Sequence, residues 1–143
     1  MLTHLALEPE AGPNSESLRD AKVNVLKTIV PLKTKNLVRG QFRGYRKEKG
    51  VAPDSKVETY AAMRLDIDSD RWRGVRFYLR AGKCLPATGT EVVVRLRQAA
   101  FLAERPVLRH NTLRLQISPE IRFTLGLNVL APTTRGRGRR WNW

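Results

Sequence analysis

Apolar and polar residues alternate along most of the chain after residue 36, which is the two-residue period of strands with one buried face. The pattern predicts strands at Leu37–Phe42, Thr59–Ile67, Gly74–Arg80, Glu91–Arg97, Leu113–Ile117 and Ile121–Val129. In the second of these, Thr59, Ala61, Met63, Leu65 and Ile67 share one face, while Arg64, Asp66 and Asp68 take the other. The alternation therefore predicts an antiparallel sheet that is covered on one side.

The segment before the strands has the spacing of a helix instead. Apolar residues recur at three- and four-residue steps at Leu18, Ala21, Val25 and Ile29. Asn14 or Ser15 is the predicted N-cap, and Pro31 is the predicted end of the helix. Loops are predicted at Arg43–Asp54 and Gln98–Asn111. The expected fold class is α+β, with an N-terminal helix packed on a truncated, mainly antiparallel sheet.

Composition indicates a soluble globular protein. The chain has 143 residues, is 41% hydrophobic and has a mean hydropathy of −0.41. It has no apolar run near the ~20 residues of a membrane helix and no basic leader at its start. Its one cysteine, Cys84, rules out an intramolecular disulfide and indicates a reducing compartment. We therefore expect a cytoplasmic protein with no membrane partner.

The formal net charge of +14 favours contact with nucleic acid. Arginines are dense in the segment 132–143, at Arg135, Arg137, Arg139 and Arg140. This segment is predicted to be a disordered, Arg/Gly-rich tail that follows a domain at 1–131. One alternative function is a basic nucleic-acid-binding protein that uses this tail. Outside this segment the positive charge is spread along the chain, which predicts only non-specific binding to nucleic acid.

An arginine, a glycine and a lysine stand at the end of the third predicted strand, at Arg80, Gly82 and Lys83. An R-x-G-K step of this kind suits phosphate capture, because a glycine hinge lets the lysine project past the sheet as a compact charge. The step belongs to a longer segment, Arg71-Trp72-Arg73-Gly74-Val75-Arg76-Phe77-Tyr78-Leu79-Arg80-Ala81-Gly82-Lys83.

That segment resembles the R-W-x-G-V-P-F-Y-L-R-x-G-K signature in the C-terminal domain of the glucose-6-phosphate dehydrogenase family. Further similar segments follow in the family's order: Leu18–Lys27, Val38–Phe42 with Gly44-Tyr45, Ser55 with Glu58–Ala62, Ile67-Asp68, and Asn111–Pro119. The resemblance implies the oxidation of D-glucose 6-phosphate to 6-phosphoglucono-1,5-lactone with NADP, in the pentose phosphate pathway of glucose metabolism. It also implies that Lys83 binds the sugar phosphate and that Arg80 supports the local strand and its electrostatics.

Several family features are absent from the sequence. No G-x-G-x-x-G opens a helix after a strand, so the Rossmann coenzyme domain is expected to be missing and no residue is assigned to the NADP cofactor. The family's general base, a histidine, aligns before Met1, which leaves no catalytic residue, and no metal site is expected. His4 aligns after that base. Thr88 stands where the family has a second basic residue, and Arg76 where it has proline.

The resemblance therefore predicts a partial dehydrogenase that is inactive alone. Its expected partners are glucose 6-phosphate and, through the sheet, a coenzyme domain or further copies in a homo-oligomer. A second alternative is a structural fragment that pairs with a full-length subunit. The last predicted strand, Ile121–Val129, is expected to have an unpaired edge, which favours self-association.

Overall fold

A computed structural model describes residues 1–8, 14–98, 110–130 and 138–142. The helices are α1 (Leu2–Ala6) and α2 (Ser15–Lys27), and the strands are β1 (Leu37–Gly40), β2 (Tyr60–Asp66), β3 (Arg76–Gly82), β4 (Thr90–Arg95), β5 (Thr112–Ser118), β6 (Arg122–Leu130) and β7 (Gly138–Asn142). All strand pairs are antiparallel, which confirms the predicted α+β class. Within the described ranges, no helix is long and apolar enough to cross a membrane.

The chain divides into two units, Met1–Cys84 and Leu85–Trp143, each with its own sheet. The first sheet has the order β1-β2-β3 and the second the order β4-β5-β6-β7. The alternation of apolar residues predicted the strands but gave a single sheet. A two-residue period reports which face of a strand is buried, and it does not report which strand lies next to it.

The first unit has a small apolar core between its helices and the end of β2. Ala6 is fully buried, and Val25 and Ile67 are 7% and 3% exposed. Val25 lies on α2 and Ile67 directly follows β2, so the predicted packing of the helix on the sheet is confirmed. Register puts Leu37, Met63 and Leu79 opposite one another, on the face that also carries Leu65. The predicted sorting of β2 into an apolar and a charged face is therefore correct.

Helix α2 begins as predicted but ends earlier. The side chain of Asn14 accepts a hydrogen bond from the Ser17 backbone N–H at 2.7 Å, which makes it the N-cap. Ile29 was predicted to belong to the apolar stripe of the helix, but it forms a bridge to Ile67 instead. The Val30 N–H donates to the Asp66 carbonyl at 2.9 Å, so pairing with the end of β2 replaces the last helical turn.

Helix α1 was not predicted from the pattern. The indole N–H of Trp72 donates a hydrogen bond to the carbonyl of Ala6 at 2.9 Å. The Trp72 ring also meets Phe77 edge-to-face, with 5.3 Å between ring centroids. The Trp72 side chain therefore joins the first residues of the chain to β3. A helix of only five residues shows too little periodicity to be predicted from the sequence.

In the second unit the sheet has one apolar and one polar face. Register places Val94, Leu113 and Leu125 opposite one another, and Val92, Leu115 and Phe123 likewise. The polar face carries the ion pair between Arg114 Nη1 and Glu91 Oε2, at 2.6 Å. Among the residues described in this unit none forms a helix, and Phe123 on the apolar face remains 61% exposed.

Strand β7 lies inside the segment 132–143 that was predicted to be disordered. Its backbone pairs with β6 from Gly126–Asn142 to Leu130–Gly138, so the prediction is wrong for Gly138–Asn142. The predicted unpaired edge of the Ile121–Val129 strand is wrong for the same reason. An edge strand needs only backbone hydrogen bonds, which an Arg/Gly composition does not forbid. The rest of the tail, and most of the predicted Gln98–Asn111 loop, lie outside the described residues.

Replacing the N-cap tests how α2 is held. We expect Asn14→Ala to lower the free energy of unfolding by about 1 kcal/mol, because the Ser17 N–H loses its acceptor. Asn24→Ala is the matched control, since Asn24 is an exposed position on the same helix where alanine is the better helix former. Urea unfolding measures both. Equal losses in the two variants would contradict the cap.

Candidate functional site

Strand β3 carries the cationic residues singled out from the sequence. Phe77 and Leu79 are half-buried, whereas Arg76, Tyr78 and Arg80 are exposed, so the predicted alternation is confirmed. Arg80 pairs across the ladder with Ala62. Its guanidinium therefore extends from the solvent face of the sheet, opposite the apolar core.

Lys83 is the first residue after β3, and its backbone is fixed. Its N–H donates to the Thr59 carbonyl at 2.8 Å, and the Thr59 N–H donates to the Gly40 carbonyl at 2.9 Å. The Thr59 hydroxyl oxygen accepts from the Phe42 N–H at 2.8 Å. Thr59 thus ties together the ends of β1 and β3. The side chain of Lys83 is exposed, so the site is a solvent-accessible cation on a fixed point of the backbone.

The turn after the strand is not made by Gly82, which was the predicted hinge. Gly82 is the last residue of β3 and pairs with Tyr60. The left-handed conformation falls on Cys84, with φ of 52°. This conformation costs a non-glycine residue roughly 1–2 kcal/mol. The sequence suggested the glycine because glycine adopts such angles most readily, but the hydrogen bond from Lys83 to Thr59 extends the pairing past it.

The electrostatics of the strand end leave the lysine available. Glu58 precedes Thr59, and its carboxylate Oε1 lies 2.6 Å from Nη1 of Arg39. This pairing engages Glu58, the acidic residue adjacent to Thr59 in the sequence. Among the described residues no ion pair involves Lys83 or Arg80. An incoming anion would meet positive charge here without first displacing a carboxylate.

The structure brings together some of the predicted site residues. Arg80 and Lys83 lie at the end of one strand. Thr88, which replaces an expected cation, belongs to the second unit and is exposed two positions before β4. His4 is an exposed residue of α1. Thr59 was not singled out as a site residue, because its role depends on strand partners that a single sequence does not reveal.

The family model of the glucose-6-phosphate dehydrogenase C-terminal domain matches residues 1–142 of the chain. The chain belongs to this family. The glucose-6-phosphate 1-dehydrogenase 1 of Mycobacterium tuberculosis is 42% identical over 123 residues, covering 84% of the chain and 26% of the relative. The enzyme of Chlamydia trachomatis is 37% identical over 150 residues, covering 94% of the chain and 34% of the relative.

Solved structures of glucose-6-phosphate dehydrogenases have the same fold. The glucose-6-phosphate 1-dehydrogenase of Mycobacterium avium superposes with a TM-score of 0.83 at 36% identity, covering 99% of the chain and 31% of that structure. A glucose-6-phosphate dehydrogenase in complex with its substrate glucose-6-phosphate gives a TM-score of 0.83 at 29% identity, again covering 99% and 31%. The chain therefore spans about a quarter to a third of the length of the family members it matches.

The family implies NADP, and the described residues do not fit a dinucleotide site. Such a site requires a parallel strand, a glycine-rich turn and the N-terminus of a helix that faces the pyrophosphate. Every strand pair in the described ranges is antiparallel, and neither α1 nor α2 follows a strand. This confirms the predicted absence of a Rossmann domain from the described part. No group of three or more potential metal ligands occurs there either.

An isosteric substitution tests whether Thr59 organises the strand end. We expect Thr59→Val to lower the free energy of unfolding by about 1 kcal/mol, because the half-buried Phe42 N–H loses its acceptor. Thr124→Val is the matched control on β6, and it should change the stability by less than about 0.5 kcal/mol. Urea unfolding again measures both, and an effect of Thr124→Val as large as that of Thr59→Val would contradict this role.

Proposed function

We propose that the chain is the sugar-phosphate-binding part of a glucose-6-phosphate dehydrogenase, with Lys83 as the contact to the phosphate. One observation carries the proposal: the lysine of the family's R-x-G-K step is exposed, is held by its backbone, and has no ion-pair partner in the described ranges. The relatives named glucose-6-phosphate 1-dehydrogenase and the related structure with bound glucose-6-phosphate support it.

The chemistry assigns a limited task to these residues. In the family reaction a base removes the proton of the C1 hydroxyl and a hydride leaves C1 for NADP, which gives 6-phosphoglucono-1,5-lactone. The ammonium of Lys83 would hold the phosphate at the far end of the sugar and so fix the position of C1. A charged hydrogen bond of this kind contributes about 1.5–3 kcal/mol. Arg80 would add positive potential along the same strand.

We further propose that the chain needs a coenzyme domain for activity. Its only histidines are His4 and His110, and neither stands in a family base motif. His4 is an exposed residue of α1, and Nδ1 of His110 lies 3.1 Å from the Leu96 carbonyl oxygen. The cofactor carries the hydride chemistry in such enzymes, so the sugar-binding part by itself cannot complete the reaction.

The second sheet is the surface that we propose for pairing with the coenzyme domain or with a further copy. Its apolar face includes Val94, Ile117 and Phe123, which are 37%, 49% and 61% exposed. Exposed apolar area of this kind is typical of surfaces that another polypeptide covers.

Cys84 is a free, exposed thiol, which is compatible with the cytoplasm as the working location.

The direct test is NADPH formation from glucose 6-phosphate, with and without an added coenzyme domain from a glucose-6-phosphate dehydrogenase. We expect no turnover by the chain alone and turnover after the addition. Lys83→Gln should then lower kcat/KM about 10- to 150-fold, mostly through KM, because uniform binding of the phosphate is lost. Lys49→Gln, an exposed loop lysine, is the charge-matched control. Turnover that is unaffected by Lys83→Gln would overturn the assignment.

Restoring the missing cation gives an independent prediction. The family has a basic residue at the position of Thr88, so Thr88→Lys should lower KM for glucose 6-phosphate in the reconstituted enzyme by about threefold to tenfold. Thr90→Lys, two positions further along and at the start of β4, is the control for added charge. An equal decrease of KM in both variants would indicate general electrostatic attraction instead of a second phosphate contact.

A further inference from the structure

The first unit contains a cavity of about 130 Å³ that is separate from the strand-end lysine. One wall is the linker between α2 and β1, which contributes the apolar residues 30–32 together with Lys33, Lys35 and Asn36. The other wall is the charged face of β2, which contributes Arg64 and Asp66. The sequence pattern gives no hint of this cavity, because it forms where the linker meets the strand.

Backbone hydrogen bonds fix both walls. The Val30 N–H donates to the Asp66 carbonyl at 2.9 Å, and Ile29 bridges to Ile67 directly beside it. A single turn of 3-10 helix at Thr34–Asn36 then shapes the rim, with the Asn36 N–H donating to the Lys33 carbonyl at 2.8 Å. The backbone on both sides of the cavity is therefore held by hydrogen bonds.

Its charge is strongly one-sided. The lining has the cations Lys33, Lys35 and Arg64 against one carboxylate, that of Asp66. Nη2 of Arg64 lies 3.9 Å from Oδ2 of Asp66, which is within reach of an ion pair but too long for a hydrogen bond. The carboxylate therefore leaves much of the guanidinium's hydrogen-bonding capacity unused.

Arg64 also carries a donor that lacks a partner. Its Nε is buried, and the described part of the chain provides no acceptor for it. Buried polar groups in native proteins are nearly always hydrogen-bonded, and an exception of this kind calls for a water or an ion as its partner. A guanidinium with unused donors beside two ammonium groups is a typical arrangement for binding a phosphate group.

We propose that this cavity binds a phosphate ion, held by Arg64, Lys33 and Lys35. A volume of about 130 Å³ corresponds to roughly four waters at about 30 Å³ each, which is room for one tetrahedral oxyanion with a residual water. The anion would lie between the linker and β2, and it would add charged hydrogen bonds across the junction that ends α2.

The cavity and Lys83 are at different positions along β2. Lys83 follows Gly82, which pairs with Tyr60 at the start of β2, whereas Arg64 is further along the same strand. The rise of about 3.3 Å per residue separates Tyr60 from Arg64 by about 13 Å along the strand. Binding in the cavity is therefore independent of the proposed substrate contact, and the two can be removed separately.

The test is a calorimetric titration of the full chain with sodium phosphate, with the ionic strength kept constant by sodium chloride. We expect saturable binding with one site per chain. Arg64→Gln should weaken it by about tenfold or more, because it removes the charged donor. Arg43→Gln, an exposed loop arginine, removes the same charge elsewhere and should leave the affinity unchanged.

A second variant guards against misfolding of Arg64→Gln. Lys35→Gln alters an exposed residue of the rim and should weaken phosphate binding by about threefold, while the unfolding temperature without phosphate stays that of the original chain. A titration with glucose 6-phosphate in place of phosphate distinguishes a free phosphate ion from a sugar phosphate as the source of the bound phosphate group. Its binding through Arg64 with equal affinity would support a site for the group itself.

Three results would overturn the proposal. Binding that is lost in Lys83→Gln and kept in Arg64→Gln would assign the phosphate to the strand-end lysine. An equal loss in Arg43→Gln and Arg64→Gln would reduce it to general attraction by a basic protein. A titration without saturation would mean that the chain has no phosphate site.

Discussion

Strand β2 is the element on which the first unit depends, because it is hydrogen-bonded along both edges. It pairs with β1 on one side and β3 on the other, and its far end continues into the bridge between Ile29 and Ile67. Its apolar face provides Leu65 to the buried interior, and its charged face provides Arg64 to the cavity. A slip of one residue in this ladder would exchange the two faces, and with them the positions of the core, the cavity and the strand-end lysine.

The buried interior that this ladder supports is small. Among the described residues only Ala6, Val25, Leu65 and Ile67 are buried apolar side chains of the core. Most ion pairs join exposed side chains, such as Arg122 with Glu120, and such pairs contribute little to stability. The apolar face of the second sheet is also exposed to solvent. We therefore expect the stability of the chain to rise when another polypeptide covers that face.

The sequence predicted those features that depend on neighbours along the chain. The six strands from β1 to β6, the N-cap at Asn14, the half-buried pattern of β3 and the family itself all follow from local periodicity or from contiguous motifs. The misses depend on contacts between distant segments. The Ile29 bridge shortened α2, the bond between Lys83 and Thr59 moved the turn to Cys84, and pairing with β6 ordered Gly138–Asn142. The basic cavity was not predicted for the same reason, since Lys35 and Arg64 are far apart in the sequence.

The proposed function depends on Lys83 as the contact to the phosphate of the substrate. The most direct measurement is a structure of the chain assembled with a coenzyme domain and crystallised with glucose 6-phosphate. We expect Nζ of Lys83 to lie about 3 Å from a phosphate oxygen, with the backbone hydrogen bond to Thr59 retained. A bound sugar whose phosphate lies more than about 6 Å from that nitrogen, beyond the reach of a direct contact, would contradict it.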